Sequence, residues 1–208
     1  MRGLKIIRTA AWGAVAIVGG MLLAFSGILP GAERPGAVTS STVTGVAAIG
    51  GPFELTTHRG ETLTDVDLEG KPYLAFFGFT HCPDICPTTL FELTGLLAEL
   101  GAAADKITPL FITIDPERDT QELLASYMTS FDPRILALRG TEEQTDQAVK
   151  AFAAYYEKVP LEGGNYTMDH TAGVYLIDAE GDFMGTLDLH EPRGNQLQKL
   201  RRLAETAA

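Results

Sequence analysis

The apolar run Tyr73-Leu74-Ala75-Phe76-Phe77-Gly78-Phe79 leads directly into Thr80-His81-Cys82-Pro83-Asp84-Ile85-Cys86-Pro87, and Cys82 and Cys86 are the only cysteines in the chain. An unbroken apolar run without polar alternation reads as a strand covered on both faces. Leu90, Leu93, Leu97 and Leu100 recur at helical spacing behind Pro87, and Leu110-Phe111-Ile112-Thr113-Ile114 is a second apolar strand. Strand, helix and strand in that order make a right-handed crossover unit. The two thiols therefore stand where a buried strand hands over to a helix.

The remaining periodicities fill in a mixed architecture. Phe53-Leu55 and Thr62-Thr64 read as a short hairpin around Arg59-Gly60. Asp119-Thr120-Gln121-Glu122 has a capping-box pattern before Leu123, Leu124, Tyr127 and Met128, and Thr141-Glu142-Glu143-Gln144 repeats it before Val149, Phe152 and Tyr156. Ile135-Leu136-Ala137-Leu138 is a short strand between these helices. Gly173–Ile177 and Phe183–Leu187 form a hairpin turning at Ala179–Asp182, and a last helix spans about 194–204 with Leu197, Leu200 and Leu203 on its stripe. This order predicts an α/β, thioredoxin-like domain: a mixed sheet flanked by helices, with the thiols after a central strand.

Ahead of that domain, Arg2, Lys5 and Arg8 precede an uncharged stretch from Thr9 to Leu29. About 20 apolar residues cross a bilayer, and the leading bases favour a cytoplasmic N-terminus. Ala24-Phe25-Ser26 also resembles a signal cleavage site, but the stretch exceeds the usual core of a signal peptide, so an uncleaved anchor is favoured. Residues 30–51 are rich in Gly, Ala, Ser, Thr and Pro and read as a tether. The expected organisation is a cytoplasmic tail (1–8), one N-terminal transmembrane helix (9–29), a flexible linker (30–51) and one domain (52–208). That domain would lie on the extracytoplasmic side of a bacterial inner membrane.

The formal charge of −11, made more negative by removing the basic N-terminus, argues against a nucleic-acid partner. Outside the cytoplasm a neighbouring thiol pair oxidises unless it is reduced or holds a metal. A bridge across four positions closes too small a loop to brace a domain, so the pair reads as redox-active or metal-binding. Backbone N–H groups and the dipole of a helix start favour thiolates, which predicts that both sulfurs are reactive. Either the helix opens at Pro83 and is strained at Pro87, or residues 82–86 form a loop and it begins at Pro87.

Two thiolates select a soft ion such as Cu(I), with imidazole as a natural third ligand. His58, in a surface hairpin, and His190, near the C-terminal connection, read as solvated. His81 adjoins Cys82 but points to the opposite face of an extended chain, as a modulator or filler. His170, just before the strand at Gly173, is the best candidate.

Phe77–Pro87, Asp115-Pro116-Glu117-Arg118-Asp119-Thr120 and Asp169-His170-Thr171 together resemble the signature segments of the Sco/SenC family, in order and spacing. The resemblance spans about Phe53 to the C-terminus. It implies a membrane-anchored, thioredoxin-fold copper protein, carrying Cu(I), Cu(II) or both, that helps assemble the dinuclear copper centre in cytochrome c oxidase subunit II. By the same resemblance Cys82, Cys86 and His170 are the copper ligands and Asp115 lies behind them as a supporting acid, with a strand-end turn beside Pro116 as its plain alternative. Asp84 is expected to stabilise the loop, and Met168 to pack in the hairpin, with a soft metal donor as its alternative. Residues 159–165 resemble the family's flexible insertion before the histidine. Further partners implied are a thioredoxin-like reductant or another copper chaperone. The rival reading is a thiol–disulfide oxidoreductase acting on the oxidase's copper-site cysteines. A peroxide-reducing enzyme or a redox sensor ranks below both, since neither needs His170.

Overall fold

The computed structural model describes residues 49–207. The expected cytoplasmic tail, the anchor and all but the last three residues of the tether lie outside them. Among the described residues no helix is long and apolar enough to cross a membrane.

The chain order is β1 (Glu54–Thr57), β2 (Thr62–Thr64), β3 (Tyr73–Gly78), α1 (Ile85–Leu100), β4 (Thr108–Thr113), α2 (Gln121–Met128), β5 (Leu136–Arg139), α3 (Glu142–Ala151), β6 (Tyr156–Pro160), β7 (Tyr166–His170), β8 (Val174–Ile177), β9 (Phe183–Leu187) and α4 (Arg193–Glu205). Seven strands form one sheet in the order β2-β1-β5-β4-β3-β8-β9. β3, β4 and β5 are mutually parallel, while β8 runs antiparallel to β3 and continues into β9. The result is the thioredoxin-like mixed sheet that the alternation of elements predicts. β6 and β7 form a separate two-stranded ribbon.

Every residue of β3 is buried, because helices cover both of its faces. Tyr73 and Phe77 meet Phe152, the residue that closes α3, with ring centroids 6.4 and 5.4 Å apart. Phe53 and Tyr175 complete that aromatic cluster at 6.4 and 5.6 Å. On the other side Phe76 stacks on Phe111 at 5.9 Å and Gly78 lies against Cys86 of α1. Burying a phenylalanine contributes about 2–3 kcal/mol, so these rings anchor the strand whose C-terminal end carries the thiols.

Local chemistry sets where the helices start and stop. α1 begins at Ile85, between the two expected alternatives, with Asp84 at the N-cap position and Thr88 N–H bonded to Asp84 O at 3.1 Å. Pro87 is then the third helical residue, where an α-helix has no use for the missing N–H. α3 carries the predicted capping box between Thr141 and Gln144. α2 does not: Thr120, not Asp119, is its N-cap and accepts Leu123 N–H at 3.2 Å. Asp119 is drawn into the interior.

Tyr156 does not belong to the stripe of α3, as its spacing from Val149 and Phe152 suggests. The helix closes with Ala154 N–H bonded to Val149 O and Ala153 N–H to Lys150 O, Ala153 being left-handed at φ 48°. This is a Schellman ending without its usual glycine. It releases the chain into β6, whose register runs from Tyr156↔His170 to Pro160↔Tyr166. The segment expected as an insertion, 159–165, is thus the tip of a paired hairpin, and His170 ends the hairpin's second strand.

Candidate metal centre

Cys86 is the second residue of α1 and is fully buried. Its seat exists because residue 78 is glycine: a Cβ there would stand 2.8 Å from Cys86 Sγ and 2.8 Å from the Phe111 ring. Desolvation pushes the Cys86 thiol well above the usual range, and the nearby Cys82 and Asp119 push it the same way. In the metal-free chain Cys86 is therefore a protonated thiol, which corrects the expectation that both sulfurs are thiolate-prone. The helix start offers too little to offset burial at this position. Cys82 is half-buried, and both cysteines are free. Cys82 Sγ accepts the backbone N–H of Cys86 at 3.4 Å, so it caps the first turn of the helix.

His170 arrives from β7. Its Nδ1 lies 3.0 Å from Thr171 O, and a carbonyl only accepts, so Nδ1 carries the proton. Nε2 then presents a lone pair, 3.7 Å from Cys86 Sγ. Phe79 and Phe76 stand edge-on to the imidazole at 5.9 and 6.4 Å and fix its plane. Imidazole nitrogen and buried thiol thus already face each other, while Cys82 lies in the turn ahead of α1 with its sulfur against Cys86 N–H. Among the described residues no three Cys, His, Asp or Glu side chains stand in a ready coordinating arrangement. A metal bound here would displace the Cys86 proton. Two soft sulfurs and one imidazole suit copper better than a hard cation.

The hairpin is held over the site by charge. Arg118 donates through Nε to Asp115 Oδ2 at 2.5 Å and through Nη1 to Tyr166 O at 2.9 Å. Its guanidinium lies 3.7 Å over the Tyr166 ring. The Tyr166 hydroxyl returns to Asp115 Oδ1 at 2.9 Å, and Lys158 covers the same ring at 3.8 Å while bonding Glu117 at 2.6 Å. Both oxygens of the buried Asp115 are thus committed to the hairpin's restraint. It also sits in the expected turn, with its carbonyl bonded to Arg118 N–H and Asp119 N–H.

The other candidates fall elsewhere. His58 is half-buried: its Nδ1 accepts Ala137 N–H at 3.1 Å, and burial lowers its pKa. His190 is 97% exposed beside Asp188. Met168 is buried in the core and Asp84 makes only a long contact, 3.5 Å, with the Thr88 hydroxyl. His81 faces Thr80 Oγ1 at 3.1 Å and Asp119 at 3.7 Å. A cleft of about 870 Å³ runs beside α1 and the loop after β9, lined by Ile85, Leu187 and His190 among others, and none of Cys82, Cys86 or His170 lines it. Sequence reasoning missed Gly78, Arg118, Tyr166 and Asp119 as parts of the site. A glycine inside a buried strand was the one readable signal among them.

Comparison with known proteins identifies the family. The SCO1/SenC family profile matches residues 41–205. The human mitochondrial SCO1 homolog is 43% identical over 153 residues, covering 72% of this chain and 51% of that protein. Yeast mitochondrial SCO2 is 40% identical over 161 residues, covering 76% and 53%. The chain's match thus spans about half the length of these curated relatives. Among solved structures, Bradyrhizobium japonicum ScoI with copper bound superposes with a TM-score of 0.71 at 45% identity, covering 75% of this chain and 99% of that one. Yeast Sco1 with copper bound gives 0.70 at 35%, covering 77% and 91%. With a matching profile over most of its length, a relative at 43% identity and a solved relative of the same fold at 45%, the chain belongs to the SCO1/SenC family.

Proposed function

We propose that this protein is a membrane-anchored copper carrier that assists assembly of the dinuclear copper centre of cytochrome c oxidase, with Cys82, Cys86 and His170 as the ligands of its cargo. One observation carries the reading: with Nδ1–H committed to Thr171 O, the other ring nitrogen of His170, Nε2, faces the buried Cys86 thiol at 3.7 Å. Support comes from relatives solved with copper bound.

Copper uptake by the reduced chain releases the thiol protons, and oxidation of the pair to a disulfide removes the same sulfurs from service. Carriage is thus gated by redox state. A partner's thiolates and imidazoles accept the ion by replacing these ligands one at a time. The proposed acceptor is cytochrome c oxidase subunit II; a thioredoxin-like reductant would restore the dithiol and another copper chaperone would load it. Asp115 supports the site through Tyr166 and Arg118 rather than as a ligand. Residues 9–29 anchor the chain in the inner membrane, and 30–51 hold domain 52–208 off its outer face. A thiol–disulfide oxidoreductase would use Cys82 as nucleophile, but it gives His170 no role and is not favoured.

The test is anaerobic copper titration of the full chain in detergent. The reduced protein should bind one equivalent and the disulfide form none. The variant His170→Ala should lose at least about tenfold in affinity while keeping dithiol exchange. Undiminished affinity in that variant removes His170 from the ligand set.

A further inference from the structure

Two donors have evident supports: Cys86 is seated in the core by α1 and Gly78, and His170 is carried by the hairpin. The turn that carries Cys82 rests on something else. Asp119 is completely buried, 39 positions from Thr80, and accepts Thr80 N–H at 3.0 Å and the Thr80 hydroxyl at 2.5 Å. It also accepts the Thr113 hydroxyl at 2.5 Å. Its backbone is pinned as well, N–H to Asp115 O at 2.9 Å and O to Arg139 Nε at 3.1 Å.

A carboxylate in the interior costs several kcal/mol unless its oxygens are fully bonded, so its place demands a reason. Helix initiation is not that reason, because Thr120 caps α2. Two of its three side-chain bonds go to the residue two before Cys82, and the third reaches the end of β4. Thr80 has one hydroxyl proton and gives it to Asp119. The 3.1 Å contact between Thr80 Oγ1 and His81 Nδ1 therefore needs the ring to donate. The chain Asp119–Thr80–His81 orients both residues that lead into Cys82.

We propose that Asp119 is a positioning residue: through its bonds to Thr80 and Thr113 it fixes the turn carrying Cys82 and so sets the separation of the two sulfurs. Its consequence for metal affinity rests on the copper reading; the sulfur separation is a property of the metal-free protein and is measured without copper.

The experiment uses the full chain, Asp119→Ala and Asp119→Asn. Equilibration with oxidised and reduced glutathione reports how readily the sulfurs meet: the Cys82 and Cys86 thiols lose two electrons and two protons, their S–S bond forms, and one glutathione disulfide becomes two thiols. Asp119→Ala should shift that equilibrium constant at least about tenfold. Asp119→Asn should stay within about threefold of the parent, since its amide oxygen still accepts both Thr80 N–H and the Thr113 hydroxyl, which share one carboxylate oxygen, while its NH2 donates to the Thr80 hydroxyl, which rotates to receive it. Copper affinity should fall about 10–100-fold in Asp119→Ala, as for other outer-shell partners. An unchanged glutathione equilibrium in Asp119→Ala overturns the proposal, and so does Asn behaving like Ala, which would assign the effect to charge. A parent that binds no copper but whose glutathione equilibrium shifts in Asp119→Ala overturns the copper reading and upholds the positioning role. Should Asp119→Ala not fold, Thr113→Val removes one donor; a shift of about threefold supports the proposal and none overturns it.

Discussion

The corner between β3 and α1 and the hairpin β6–β7 deliver donors to the same spot by opposite means. At the corner Cys86 is fully buried beside Gly78, where a Cβ would collide with both the sulfur and the Phe111 ring, and its place is set by apolar packing. On the hairpin, strand β6 has no buried residue, and ion pairs, cation–π stacking and one phenol tie down the Tyr166 end of β7, while at its other end the His170 ring meets the core, edge-on to Phe76 and Phe79. Close-packed interiors resist small displacements, whereas charge contacts near water re-form with little penalty. The difference teaches that one proposed ligand is fixed and the other adjustable, an arrangement that would suit the proposed uptake and release of an ion.

The sharpest way to break this comparison is to fill the space at the corner. Gly78→Val should destabilise the domain by about 3 kcal/mol, the upper range for overpacking, and expose Cys86 to alkylation. In the parent, iodoacetamide should label half-exposed Cys82 well before buried Cys86, as mass spectrometry of the peptides would report. Equal labelling in the parent would mean that Cys86 is not held as described.

A second test acts on the hairpin. Arg118→Leu removes the donors to Asp115 and to Tyr166 O and should cost about 1.5–3 kcal/mol, the range for charge-assisted bonds, measured by urea unfolding. Amide exchange should accelerate in β6 and β7 and stay unchanged in β3. If β3 exchange rises equally, the two regions are one cooperative unit. Lys158→Ala should leave unfolding unaltered, because the Lys158–Glu117 pair is largely solvent-exposed, while loosening β7 exchange slightly.

The reading of the sequence succeeded where burial dictates pattern. Tyr73–Phe79 and Leu110–Ile114 are unbroken apolar runs, and their strands lie within a residue or two of the expected bounds. It failed where a local signal had two readings. Val149, Phe152 and Tyr156 fit a helical stripe, and only the left-handed Ala153, with no glycine to announce it, reveals the break. Val159–Asn165, with Gly163 and Gly164, reads as a loop, which holds for 161–165; what escapes that reading is the pairing of the largely exposed strands on either side, which carry little alternation. Cys82, Cys86 and His170 are legible as chemistry. Their supports are not, since the Asp119–Thr80 and Arg118–Tyr166 contacts join segments 39 and 48 positions apart and arise only once the sheet has formed.

The smallest effect concerns pH, far from the metal corner. Burial sets the folded pKa of His58 below its ordinary 6.5, and the neutral ring accepts Ala137 N–H. Below 6.5 the unfolded chain binds a proton that the folded chain resists, so stability falls as pH drops from 6.5 toward the lower folded value. His58→Gln should flatten that slope in unfolding measured between pH 7 and 5, and should leave hairpin exchange untouched.

X-ray absorption at the copper edge, on the anaerobically loaded full chain and on His170→Ala, tests the central claim most directly. The account predicts two sulfur neighbours and one nitrogen in the parent, with the nitrogen lost in the variant. A sulfur-only shell in the parent, or identical shells in both proteins, would contradict it.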